Sequence, residues 1–98
     1  MKVNDFRRKY RARHILVEDI EDAEYVLEKL GEGEDFAILA GELSECETSA
    51  PKGGDVGIFR SGQMIAEFEK AVHNLKIGEV SKPVESELGY HIIQRLEA

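Results

Sequence analysis

Residues 53–68 read GGDVGIFRSGQMIAEF, a run that combines backbone freedom with apolar side chains that an ordinary surface loop does not carry. Gly53, Gly54, Gly57 and Gly62 admit main-chain conformations closed to other residues. Residues 56–60 have the length and composition of a short strand, and Ser61 and Gly62 make a turn. A helix follows, in which Phe68, Ala71, Val72 and Leu75 recur at the helical period and Gly78 lies just past the end. Val56, Phe59, Met64 and Phe68 are thereby gathered around a bend. Such surface suits an apolar ligand, while the competing use is core, because Met and Phe four residues apart pack together on a helix.

Upstream, Lys9–Val17 alternates as a strand, with Ala12, His14 and Leu16 on one face and Arg13, Ile15 and Val17 on the other. The acidic stretch Glu18, Asp19, Glu21 and Asp22 suits a helix start, where negative charge meets the positive end of the helix dipole. Ile20, Ala23, Val26, Leu27 and Leu30 form that helix's apolar stripe, and Gly31 and Gly33 close it. Asp35 is placed to cap a second helix, whose Phe36, Leu39, Ala40 and Leu43 fall at i, i+3, i+4 and i+7. Residues 44–55 read as loop. Downstream of the third helix, residues 80–84 read as a short edge strand, since Pro83 has no N–H for an interior ladder. Gly89 makes the next turn. Residues 90–96 alternate again, with His91, Ile93 and Arg95 on one face and Tyr90, Ile92, Gln94 and Leu96 on the other. The order β-α-α-β-α-β-β, with a short link making the last two strands antiparallel, is an α+β fold.

The chain has 98 residues, 42% of them hydrophobic, which predicts one domain (1–98, core about 12–96) with enough apolar content for a single core. Thirteen Lys and Arg against 20 Asp and Glu leave a net charge of −7, which repels phosphate backbones and anionic membrane surfaces. Neither nucleic acid nor a membrane is an expected partner. Arg7, Arg8, Lys9, Arg11 and Arg13 form the one basic run, read as a solvated strand edge. The single cysteine, Cys46, excludes an internal disulfide and fits a reducing compartment. With no apolar stretch of a secretory signal or a bilayer span, the expected location is the cytoplasm, unless the domain is a piece of a longer, secreted or anchored chain. No Walker-type loop, GxGxxG or HExxH occurs.

His14 and His91 lie on different strands, each sharing a face with apolar residues. Each is either a satisfied sheet histidine or, if the first and last strands are adjacent, half of a hydrogen-bonded imidazole pair. His73 reads as a surface residue. Cys46 has three readings: a small buried hydrophobe, a nucleophile activated by a histidine, or a metal ligand with both. The lack of close ligand spacing speaks against the last, and no metal or other cofactor is expected.

The segments HILV (14–17), DFAILAGELSEC (35–46), GGDVGIFRSGQM (53–64), AEFEKAV (66–72), GEVSKPV (78–84) and GYHIIQRL (89–96) resemble, in order and spacing, the parvulin family of peptidyl-prolyl cis/trans isomerases. The resemblance spans about residues 12–96 and rests on several separated motifs. It implies a four-stranded antiparallel sheet surrounded by helices, with a site on its concave face. By position, His14 and His91 match the family's paired histidines, Cys46 a position held by Cys or Asp, and Ser86 a usual Thr in the histidine network. Val56, Met64 and Phe68 match the proline pocket, with Phe59 and Gln63 at its border; Leu88 replaces a residue that is often polar or aromatic. The implied activity is non-covalent rotation about Xaa-Pro bonds in unfolded or flexible protein segments, by a monomer. The alternative is a chaperone-like module that grips proline-containing or apolar segments with little or no turnover. Phosphate-directed members carry a basic loop after the first strand; here Glu18, Asp19, Ile20, Glu21 and Asp22 stand there instead, so no phosphoSer-Pro or phosphoThr-Pro preference is expected. A member without an amino-terminal WW-type module is expected.

Overall fold

A computed structural model of the protein describes residues 8–98; Arg7, the first member of the basic run, lies outside them. The elements follow in the order β1 (Lys9–Val17), α1 (Ile20–Gly31), α2 (Phe36–Leu43), β2 (Asp55–Arg60), α3 (Ala66–Asn74), β3 (Val84–Ser86) and β4 (Gly89–Leu96). The strands form one sheet in the order β2-β1-β4-β3, every neighbouring pair antiparallel. This is the α+β arrangement expected from the chain.

The alternation in β1 and β4 explains why both faces of the sheet are covered. Ile15, Val17 and Ile92 point to one side, where Ala23 and Val26 of α1 and Phe36, Leu39 and Ala40 of α2 complete a cluster. Tyr10, Ala12 and Ile93 point to the other, where Phe68 and Val72 of α3 and Phe59 of β2 pack on them. Asp35 caps α2 by accepting from the Ile38 amide at 3.0 Å. The two central strands therefore carry apolar residues on both faces, and any polar side chain between them needs a partner.

Three details differ from the sequence reading. The expected edge strand at residues 80–84 instead pairs in two pieces. Val80 bridges Gln94 and the Ser81 amide donates to Ile93 O at 2.7 Å, then the ladder lapses and resumes at Val84↔His91. Pro83 has no N–H to offer across the gap, and the extra residue on this side makes a bulge. Residues 44–55 are not uniformly loop: Ala50–Lys52 is a 3-10 turn, and β2 starts one residue early, at Asp55. The basic run is also more than a solvated edge. Arg11 pairs with Asp55, and Arg13 donates to Gln94 Oε1 at 2.7 Å with its guanidinium over the Phe36 ring.

Candidate active site

A cleft of about 460 Å³ opens between the loop after α2, the start of β2 and the amino-terminal end of α3. Its inner surface is the α3 side of the β1–β4 pair. β1 and β4 are in register with His14 opposite Ile93 and Leu16 opposite His91, so the two histidines are diagonal neighbours on one face. His14 is 5% and His91 1% exposed. Their rings lie nearly parallel, at 15° with centroids 5.2 Å apart, and the two Nδ1 atoms are 3.0 Å apart. Phe68 presents its ring edge-on to both, at 5.2 Å from His14 and 5.8 Å from His91.

The chain of hydrogen bonds runs further. His91 Nε2 lies 2.7 Å from Ser86 Oγ, which also accepts from the Leu88 amide at 3.1 Å. At the opposite end, His14 Nε2 is buried without a partner among the described residues. Each neutral imidazole has one donor and one acceptor nitrogen, so only two arrangements satisfy the chain. When the Ser86 hydroxyl donates to His91 Nε2, His91 Nδ1–H donates to His14 Nδ1 and His14 Nε2 carries a hydrogen. When His91 Nε2–H donates to Ser86 Oγ, every role reverses and His14 Nε2 is an acceptor. Burial pushes the His14 pKa down to about 4, with the neighbouring His91 adding to the effect. Burial also lowers His91, against an opposing pull from Glu67. Both rings are therefore neutral near pH 7.

His14 is held in place by its own backbone. Its amide donates to Gly54 O at 2.9 Å, and Gly54, at φ +90°, lies so close that a Cβ there would stand 2.5 Å from His14 O. Only glycine fits this contact. One residue on, the β1–β2 ladder skips Val56: Ala12 pairs with Gly57 and Arg13 with Asp55. A bulge of this kind re-aims the unpaired side chain, and Val56 lines the cleft.

Met64, Phe68 and Gln63 line the cleft as well, and Gln63 is tied back to its turn by accepting from the Arg60 amide at 2.7 Å. Phe59 does not border it. The ring is 3% exposed in the core, stacked on Tyr10 at 5.7 Å and edge-on to Phe68 at 5.9 Å, so it backs Phe68 from behind. Phe59 pairs directly with Tyr10 in the regular part of the β1–β2 ladder and shares its core face, while the bulge re-aims Val56 and not Phe59. Ser86 stands behind His91 and touches the cleft only through it. His73 is exposed and bonded to Tyr10 Oη at 2.7 Å.

Cys46 is partly exposed at the cleft edge, its Sγ 3.5 Å from Thr48 Oγ1 and bonded to neither histidine. Burial pushes its thiol up, but the neighbouring Ser49 and Thr48 outweigh it and leave the pKa below the ordinary thiol value. The buried Ser49 hydroxyl has no hydrogen-bond partner among the described residues. Among the described residues no group of three His, Cys, Asp or Glu is placed to hold a metal ion. The acidic residues at 18–22 do not line the cleft. Ile65, Thr48, Ser49 and Lys52 do, and sequence reasoning missed them. They sit in loops and turns without period, so alternation and helical spacing gave no signal for them.

The chain matches, over residues 11–97, the family model described as a PPIC-type PPIASE domain, the rotamases. It is 51% identical over 90 residues to the foldase protein PrsA of Geobacillus sp. (strain WCH70), covering 92% of this chain and 33% of that one. The crystal structure of PrsA from Bacillus subtilis superposes with a TM-score of 0.89 at 51% identity, over 95% of this chain and 36% of that one. The solution structure of NmPin, the parvulin of Nitrosopumilus maritimus, gives 0.82 at 47% identity, over 91% of this chain and 96% of that one. The chain thus spans about a third of the length of the PrsA proteins it matches.

Proposed function

The chain belongs to the PPIC-type peptidyl-prolyl cis/trans isomerase family, and from that premise we propose that it catalyses rotation about Xaa-Pro bonds in flexible protein segments without forming a covalent bond. The observation that carries this reading is the neutral, buried His14–His91 pair set against Phe68 at the floor of a cleft with apolar walls.

The chemistry demands little beyond such a floor. Resonance keeps a peptide bond planar behind a barrier of about 18–20 kcal/mol, so Xaa-Pro bonds isomerise unaided in roughly tens to hundreds of seconds. Twisting the bond breaks the resonance and reduces its charge separation. A site that excludes water and presents apolar surface therefore favours the twisted amide over the planar one. A thousandfold acceleration takes about 4 kcal/mol. The proline ring rests on Met64, Phe68 and Val56, and anchoring it there leaves the preceding carbonyl to rotate. His14 Nε2, buried and without a hydrogen-bond partner among the described residues, ends the histidine chain, and the orientation of the Ser86 hydroxyl sets whether it carries a hydrogen and so the polarity of the cleft floor. Cys46, bonded to neither histidine, lacks the base that a nucleophile needs and serves here to tune polarity at the cleft edge.

Substrates under this proposal are proline-containing protein segments, bound by a monomer, with no preference for a phosphorylated residue before proline. The acidic residues after β1 do not face the cleft, so support for that last point comes from the cleft itself. Among the described residues its one cation is the exposed Lys52, where phosphate recognition calls for clustered, bidentate arginines. A reducing setting such as the cytoplasm suits the lone thiol, and no helix among the described residues is long and apolar enough to cross a membrane.

A protease-coupled assay on Xaa-Pro peptides, with and without a phosphorylated Xaa, tests the proposal. Turnover indifferent to phosphate is expected, with Met64→Ala raising KM about tenfold or more through loss of the ring contact. Binding without turnover would overturn the enzyme reading in favour of a chaperone-like module.

A further inference from the structure

The cleft does not end at Leu88. A groove of about 340 Å³, lined by Ile65, Glu67, Glu87 and Leu88, shares its two apolar residues with the cleft. Ile65 is 41% and Leu88 64% exposed, so both aliphatic side chains stand between the two spaces with free surface. Neither Glu67 nor Glu87 takes part in a hydrogen bond or ion pair within the protein, among the described residues. Glu69, on the same helix as Glu67, differs: its two oxygens accept from Ser61 Oγ at 2.7 Å and Gly62 N at 2.8 Å. The carboxylates beside the groove are therefore uncommitted, while the nearby one that serves the fold is saturated.

We infer that this groove is a subsite for a lysine or arginine side chain flanking the bound proline. The inference rests on the isomerase reading and names a substrate class for the same site. A basic side chain has a long aliphatic stem and a charged head, and covers apolar surface with the first while keeping the second at a polar edge. Ile65 and Leu88 match the stem, and Glu67 and Glu87 match the head. An acidic side chain in the same place would face two carboxylates. Among the described residues the only cation lining the cleft, Lys52, belongs to the turn after α2 and does not line the groove.

The test compares peptides with Lys, Arg, Ala or Glu on either side of proline, using the intact protein and the double variant Glu67→Gln, Glu87→Gln. Glutamine keeps the shape and removes the charge. In the unmodified protein, kcat/KM for the lysine and arginine peptides is expected to exceed that for the glutamate peptide on the order of fivefold or more at low salt. The ratio should collapse towards one in 1 M salt and in the double variant, each ratio being taken within one protein so that any effect of Glu67 on His91 cancels. Equal rates for lysine and glutamate peptides, or a preference that survives the double substitution, overturn the subsite while leaving the isomerase reading intact. If no peptide turns over, the isomerase reading falls, and chemical-shift titration with the same peptides decides the subsite: tighter binding of the basic peptides that is lost in the double variant supports it, and equal binding overturns it.

Discussion

Replacing Gly54 by alanine separates backbone strain from the close approach that seats His14, provided Gly62→Ala is measured beside it. Both glycines have φ +90°, so both variants incur the left-handed penalty of about 1–2 kcal/mol. There the similarity ends. A Cβ on Gly62 meets nothing within 4 Å, whereas one on Gly54 stands 2.5 Å from His14 O and 3.2 Å from both His14 N and Ala40 Cβ. Carbon and carbonyl oxygen ordinarily sit no closer than about 3.3 Å, so β1 and the Gly54 turn must separate by roughly 0.8 Å to admit the methyl. That movement is lodged at the 2.9 Å bond from His14 N to Gly54 O, whose loss costs about 1 kcal/mol, on top of about 1–3 kcal/mol for overpacking. Gly54→Ala should thus destabilise by about 3–6 kcal/mol against about 1–2 for Gly62→Ala. Urea unfolding with unchanged m-value measures both. Under conditions where the variant remains folded, displacement of His14 should also lower kcat/KM for an Xaa-Pro peptide, an effect Gly62→Ala does not share. Equal destabilisation of the two variants would refute the close-approach reasoning.

Acidification offers a second check. The His14 pKa falls from 6.5 unfolded to about 4 folded, so the unfolded chain binds the proton more readily, and the stability held above pH 6.5 is lost as pH drops towards 4, by about 3 kcal/mol for this residue. Denaturant midpoints across that window should decline accordingly, and a flat profile from pH 6.5 to 4 would contradict a neutral, buried His14. Ser86→Ala strands His91 Nε2, now 2.7 Å from the hydroxyl, and should cost about 1–3 kcal/mol together with catalytic efficiency, while Ser86→Thr, which keeps the oxygen, should behave like the parent; an alanine variant of full stability and activity would dismiss the relay. Cys46→Ala should retain isomerase activity to within about tenfold, since the thiol is bonded to neither histidine; a folded variant without residual turnover would restore a covalent route.

The elements and the faces of the central strands were legible along the chain. Strict alternation in β1 and β4 placed His14 and His91 each on a known face, and the helical spacing of Phe36, Leu39, Ala40 and of Phe68, Ala71, Val72 identified the surfaces that cover the sheet. Gly54 was legible as a residue with special backbone needs, though not the His14 carbonyl that makes it irreplaceable. Where alternation fails, so did the reading. The bulge at Val56 aims that side chain into the cleft while Phe59, paired with Tyr10, lies in the core and not at the rim, and Pro83 split the edge strand that residues 80–84 were expected to form.

What the sequence determined by itself was everything set by neighbours within a few positions: helical and strand periods, a capped helix at Asp35 and turns at glycine, together with a net charge of −7. What only the tertiary structure decided was adjacency across the sheet. The diagonal placement of His14 and His91 follows from the β1–β4 register, and the continuation of their chain through Ser86 follows from β3 pairing with β4. The absence of the acidic residues after β1 from the cleft lining is of the same kind. Period and propensity act through local backbone geometry, whereas a hydrogen bond between residues 77 positions apart exists only once burial of both sheet faces has selected a single register.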